Sequence, residues 1–476
     1  MSMPMRSFCL LLAVFAAFGV CARDIDVEAH VRKYWTGYQE RVVGNGDKRW
    51  PLTPALKAER FRHFKGVLLR FAPHIVEESY LIDRVFNWEK GTYLAMMRFG
   101  SVEPPKAAPA VKKAAAPDRE EYHECTSWVA MPDMTDGKTI FVHKNRDSRL
   151  SEVTLLRRAV PGKHAWIGNG PKIGFTPNQG VNDRGVVVLM NSGDPVAEAD
   201  SSQYGMGTPL ICRILLEESG SAEAAVELLK KIVADRAYSH AESGSIWFIA
   251  DSKNVYIVEN NARNITAKTV NHGFDIRANA FHFPEMQKFS MRKFSSLLSH
   301  FRREWAVREF LLNRQWRSNG ILSAADFAAS SRINEFPDKA DGYPPCGSKT
   351  VTGVTFAIDT EFPETLTTMY SVFGPPRSSC FIPVPVTVME IPEEIKNGSF
   401  SRKSLDLHDK RQPLLPEKEL AALEARLRQR HAEAVENARR KMRTSRSCSI
   451  REEVIKILND AFEVNWQDVK KSLNLK

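Results

Sequence analysis

"CTSWVAMPDMTDGKTIFVHKNRDS", residues 125–148, begins with a cysteine and runs through aromatic and β-branched residues. It turns at Asp136-Gly137 and ends in Lys144-Asn145-Arg146-Asp147. Two strand-like runs around a D-G turn read as a hairpin, which brings the polar end of the second strand back beside the start of the first. The preceding segment is of another kind. "SVEPPKAAPAVKKAAAPDREE" (101–121) holds four prolines and a lysine/alanine tract with little to bury, as a linker or protease-accessible loop does. A lone cysteine is ordinarily a small buried hydrophobe. Cys125, however, opens a folded unit immediately after a linker. A cut between Glu124 and Cys125 would give the thiol its own α-amino group, whose pKa of about 8 lets it take the thiol proton near neutral pH.

Working outward, residues 23–100 carry aromatic and aliphatic side chains at three- and four-residue intervals, as in "HVRKYWTGYQERV" and "ALKAERFRHFKGVLLRF", and are expected to be helical. Beyond the hairpin the texture is that of short strands: "GVVVLMNSG", "GSIWFIAD", "NVYIVEN", "GVTFAID" and "TTMYSVFG". Helical stretches at 208–235, restarting at Ser221-Ala222-Glu223, and at 288–313 interrupt them. This pattern predicts an α+β or layered mixed fold rather than βαβ repeats. A proline-rich crossing closes the region near residue 392. The tail, 393–476, reads as two helices, one with a Leu420, Leu423, Leu427 stripe and one marked by Ile450, Val454, Ile457 and Phe462. Such stripes suit packing or dimerisation, so homo-oligomerisation through the tail is an expectation.

The chain has 476 residues, 43% hydrophobic and 26% charged, which allows two or three domains or one large domain with extensions. Half of its +10 net charge lies in the sign-mixed tail, the pattern of a solvated helix face rather than a nucleic-acid stripe. No zinc-finger spacing or RNP-type aromatic motif supports nucleic-acid binding. Residues 1–22, with Arg6 before the apolar run 8–20 and Val20-Cys21-Ala22 at its end, read as a signal peptide. Secretion or a periplasmic location follows, with no other segment able to span a membrane. Of seven cysteines, two would leave with the signal; the remaining five are odd in number, and a Cys346–Cys380 pair stays open. No C-x-x-C spacing suggests a metal site, and no cofactor is expected. His123, His143 and His282 offer a Cys–His arrangement that no spacing favours.

The residues from Cys125 onward resemble the start of the N-terminal-nucleophile (Ntn) cysteine hydrolases: the choloylglycine hydrolase and penicillin V acylase group, the isopenicillin N acyltransferase group and the related cysteine dipeptidases. The likeness continues in order through "GVNDRGVVVLMNSG" (180–193), "SIWFIADSKNVYIVE" (245–259), "IRANAFHF" (276–283), "MRKFSSL" (291–297) and "GVTFAIDTEFPETLTTMYSVFGPPRSSCFIPV" (353–384). It implies a four-layer αββα sandwich over 125–392, with a signal at 1–22, a helical pro-segment at 23–100 covering the site, a linker at 101–124 cut before Cys125, and a helical extension at 393–476. It further implies Cys125 as nucleophile and Asp147 beside its amine. Asn191 would donate to the oxyanion, Asn279 would be a second active-site asparagine, and Arg292 would orient Asp147 or the amine. Lys144 stands where many relatives have arginine and, with Arg146, is expected at the substrate. The implied substrate is a small-molecule amide or short peptide. A cysteine dipeptidase is the alternative within this resemblance, and a non-catalytic binding or assembly protein with an unprocessed Cys125 the alternative outside it.

Overall fold

The computed structural model describes residues 24–35, 54–99, 125–148, 150–197, 204–239, 243–338, 342–445 and 447–475; the expected leader and linker lie outside the described residues. The helical spacing ahead of the linker is realised as α1 (Val27–Tyr34), α2 (Pro54–Phe71), α3 (Pro73–Phe86) and α4 (Thr92–Phe99). Proline at the start of α3 costs no hydrogen bond, and Asn87 ends it in the left-handed conformation. The hairpin follows as β1 (Thr126–Ala130) and β2 (Thr139–Asp147), paired Ser127 to Lys144 and Trp128 to His143.

Eleven further strands follow, in runs interrupted by helices. They are β3 (Val153–Arg158), β4 (Trp166–Pro171), β5 (Gln179–Asn182), β6 (Val187–Pro195), β7 (Ser243–Ala250), β8 (Val255–Asn260), β9 (Ile265–Thr269), β10 (Phe274–Arg277), β11 (Thr350–Asp359), β12 (Thr368–Ser371) and β13 (Ile382–Pro385). Between β6 and β7 come α5 (Thr208–Glu218) and α6 (Ala222–Ala234); Ser221 caps α6 by accepting a hydrogen bond from the Ala224 amide, 3.1 Å. Between β10 and β11 come α7 (Phe294–Arg317) and α8 (Ala324–Ser330), and the tail adds α9 (Ser399–Asp409), α10 (Glu417–Thr444) and α11 (Cys448–Ser472).

Two antiparallel sheets result, a six-stranded one in the order β10-β1-β2-β11-β12-β13 and a seven-stranded one running β3 to β9 in sequence. Alternation along each strand sorts the side chains into layers. Val129, Val142 and Phe356 of the first sheet meet Leu189, Phe248 and Ile257 of the second in the central core. Trp128 and Phe141 point the other way, to Val307 and Leu311 of α7 and Phe327 of α8. Val188, Trp247 and Val258 likewise leave the second sheet toward Ile211, Leu215 and Leu229 of α5 and α6. The order is helix, sheet, sheet, helix, the expected αββα sandwich with helical termini.

Both termini are built into it. Phe64, Leu68, Ile75 and Val76 of α2 and α3 share the α5–α6 core. A buried ion cluster joins the same elements. Arg213 of α5 donates to both oxygens of Glu78 at 2.7 and 3.0 Å and to Glu217 at 2.8 Å, while Arg158 of β3 reaches Glu78 at 2.6 Å and Asp24 at 2.8 Å. Burial would raise the Glu217 carboxyl, but Arg213 and His74 hold it down at about 2. The leucine stripe of α10 packs within the chain: Leu420, Leu423 and Leu427 enter the central core with Phe462, Trp466 and Val469 of α11. In α11 the buried side is set by Val454, Leu458, Phe462 and Trp466, while Ile450 and Ile457 are only partly buried, which corrects the stripe read from the sequence. Cys346 and Cys380 are both free thiols. No helix among the described residues is long and apolar enough to cross a membrane.

Candidate active site

Cys125 stands one residue ahead of β1, and the hairpin register sets it beside the end of β2. Because Ser127 pairs with Lys144, the two share a face, and that face is turned to the second sheet. Ser127 donates to Asn191 Oδ1 at 2.8 Å, and Lys144 Nζ donates to the Met190 carbonyl, both on β6. The Cys125 thiol lies 3.9 Å from the Asp147 carbonyl oxygen. On the far side of β2 an irregularity in β11 between Thr350 and Thr352, opposite Asp147 and Arg146, shifts the pairing where the polar residues end the strand. Gly353 is required beside it, since a Cβ there would sit 2.5 Å from Ser331 Oγ and 3.0 Å from Asn145 Oδ1.

These elements enclose a cavity of about 180 Å³ whose lining includes Cys125, Lys144, Arg146, Asp147, Ser192 and Thr208. Burial lowers the Lys144 ammonium, and Cys125 and Asp147 oppose that shift. Burial likewise lowers Arg146, again opposed by Cys125 and Asp147. Two basic side chains at a small cavity favour an anionic group placed there. Burial pushes the Cys212 and Cys346 thiols up to about 12, against the opposing pull of Lys144 on the first and of Arg377 and Arg332 on the second. A larger cavity of about 300 Å³ lies elsewhere, between Asp24, His30, Phe175 and Lys396. No described residue of 24–99 lines the Cys125 cavity.

The two asparagines are used differently. Asn191 Nδ2 donates to the carbonyls of Arg277 and Ala278 at 3.0 and 3.1 Å while its oxygen accepts from Ser127. Two carbonyls on one side fix which end is nitrogen, and both amide hydrogens are engaged. The oxyanion donor expected at Asn191 is thus turned to the backbone. Asn279 Nδ2 donates to the Ser192 carbonyl at 2.7 Å, beside the cavity, and its oxygen accepts from Arg303 at 3.1 Å.

Arg303 is the residue that sequence reasoning missed. Fully buried on α7, it donates to the Cys125 carbonyl at 2.8 Å and to Thr126 Oγ1 at 3.1 Å. Its planar fork ties the first residue of the hairpin to Asn279. Arg292, expected to orient Asp147 or the amine, instead pairs with Asp194 and donates to the Asn279 carbonyl at 2.8 Å. Asp194 also accepts from the Phe281 amide at 2.9 Å, so Arg292 braces the 279–281 turn. Between the two arginines His300 is kept neutral, its pKa depressed to about 2 by burial, Arg303 and Arg292. One signal pointed to Arg303. It shares the inward face of α7 with His300 and Val307, and an arginine there must have partners.

His143 and His282, two of the histidines considered with Cys125, are engaged by other residues. His143 stacks on Trp128 with ring centres 4.0 Å apart, and burial lowers its pKa to about 3. His282 lies 3.1 Å from Glu304, and His123 is outside the described residues. Among the described residues no group of His, Cys, Asp or Glu side chains is placed to hold a metal ion.

Residues 134–324 match the model of a protein family described as acyl-coenzyme A:6-aminopenicillanic acid acyl-transferase. The matched stretch begins after Cys125 and includes Lys144, Asp147, Asn191, Asn279, Arg292 and Arg303. No curated protein matches the chain. Among solved structures, a conjugated bile acid hydrolase from Clostridium perfringens is 12% identical, with 55% of this chain and 92% of that one covered and a TM-score of 0.35. An N-acylethanolamine-hydrolyzing acid amidase ortholog from Caenorhabditis elegans is 12% identical over 48% and 92%, at a TM-score of 0.33. A penicillin V acylase from Agrobacterium tumefaciens is 16% identical over 55% and 86%, at 0.28. An acyl-transferase family model thus matches the middle of a chain that folds as two stacked antiparallel sheets between helical layers.

Proposed function

We propose that this chain hydrolyses linear amide bonds through Cys125, exposed as an N-terminal nucleophile by cleavage of the Glu124–Cys125 bond. The observation that carries the proposal is the placement of Cys125 at a strand start, with its thiol in a cavity lined by Lys144, Arg146 and Asp147 and its carbonyl gripped by Arg303. Once free, the Cys125 amine takes the thiol proton. The sulfur attacks the amide carbonyl, and the tetrahedral oxyanion collapses to a thioester as the amine leaves with a proton. Water then adds to the thioester, releasing the acid and restoring the thiol. Asn279, which gives one amide hydrogen to the Ser192 carbonyl, would donate the other to the oxyanion. Asp147 holds the new amine, and Lys144 and Arg146 attract a carboxylate on the substrate. The two cations equally suit a free peptide terminus, which keeps a dipeptidase as the second reading. A signal at 1–22 and export remain part of the proposal.

Intact-mass analysis of the exported protein tests activation. A chain beginning at Cys125 is expected, labelled by iodoacetamide or a β-lactone at that thiol and unlabelled in Cys125→Ser. A chain that stays joined through Glu124–Cys125 and hydrolyses nothing points to a binding or assembly protein and sinks the proposal. A panel of acyl-amides and dipeptides then separates the two substrate readings.

A further inference from the structure

The helix that turns His300 and Arg303 inward presents a different face to solvent. Leu298, Phe301, Trp305, Leu312 and Trp316 of α7 are 54, 45, 41, 48 and 90% exposed, and Met291 just before the helix is 64% exposed. At about 100° per residue their spacing gathers the five helical residues into one narrow sector, opposite the buried Val307 and Leu311. Such a stripe marks a surface that something covers.

Its charged margins say what kind of surface. α7 carries five arginines and two glutamates. Glu304 is buried, accepting from the Ala278 amide at 2.8 Å, and Glu309 is partly buried. Arg308 and Arg302 flank the stripe on its two sides, Arg308 exposed and Arg302 donating to Asp338 at 2.6 Å, while Lys293, Arg314 and Arg317 are exposed elsewhere around the helix. A second copy laid on this stripe would set arginine against arginine, whereas lipid phosphates would complement them. Tryptophan, phenylalanine and leucine on one side with basic residues beside them is the composition of a helix lying in a membrane interface. We propose that α7 docks this protein on an anionic membrane surface, with the stripe at the level of the acyl-chain boundary and the marginal cations on the phosphates. Docked this way the protein lies on the bilayer, and Arg303 joins the docking helix directly to the Cys125 residue.

Flotation of the full chain with vesicles of phosphatidylcholine alone, and of phosphatidylcholine mixed with phosphatidylglycerol, tests this. Binding to the phosphatidylglycerol vesicles is expected, weakening as salt rises. Trp316→Ser should bind about tenfold more weakly and Arg308→Gln about fivefold, each keeping the wild-type circular dichroism. Equal flotation of wild type and Trp316→Ser overturns the proposal, as does failure of wild type to bind either vesicle. Sedimentation as a dimer that Trp316→Ser converts to monomer also overturns it, and assigns the stripe to a contact between copies.

Discussion

Asn191 directs both amide hydrogens at the carbonyls of Arg277 and Ala278, whereas Asn279 gives one to Ser192 beside the cavity and turns its oxygen to Arg303. Their alanine variants should therefore fail differently. Asn279→Ala is expected to lower kcat by about 10²–10³ with the fold intact, the usual loss for one oxyanion donor. Asn191→Ala is expected to lose about 1–3 kcal/mol of stability, because it strands the groups it now bonds. Steady-state kinetics beside urea melts separates the two, and equal kinetic loss in both would refute the assignment. Arg303→Lys keeps the charge but cannot span Cys125 and Asn279, so activity should fall well before stability does. At this scale the hairpin residues were legible, since register follows from a D-G turn and period-two alternation. The helix residues were not. Arg303 meets Cys125 across 178 positions, and its place on the inward face of α7 calls for partners without naming them.

α2 and α3 are tied to α5 by apolar packing and by Arg213 between Glu78 and Glu217. If the chain is cut before Cys125, these helices should stay bound, and both fragments should co-elute from a gel-filtration column without denaturant. Glu78→Gln leaves Arg158 and Arg213 under-compensated in a buried place and should cost about 3–5 kcal/mol. The cluster also sets an acid limit. The folded Glu217 sits at about 2, below the ordinary value of about 4.3, so its contribution is fully present above that ordinary value. It is lost as the pH falls through about 2. Dissociation of the fragments on acidification, delayed neither by salt nor by substrate, is the expected signature. The helices themselves were legible from their three- and four-residue spacing. Their docking partner was not, because an ion cluster of Asp24, Glu78, Arg158 and Arg213 is assembled from four separated segments.

For the whole molecule, the tail is as much core as the sheets are, since Leu423, Leu427 and Trp466 complete the layer between them. Truncation after residue 392 should leave an apolar face exposed and give insoluble protein, measured as loss of the soluble fraction on expression. The layered class was readable from alternating strands with helical interruptions. The tail's destination was not, because an apolar stripe on a helix is the same signal whether it packs at home or on a partner. One contact described above bears on the molecule as a whole. Newly cut chain ends ordinarily fray, but the Cys125 carbonyl is already held by Arg303 and the residue after it is in register with Asn145. Cleavage there would therefore change the covalent connectivity around a residue already fixed in place, and the terminus it made would begin immobile, with no ordering entropy left to be lost before a first turnover.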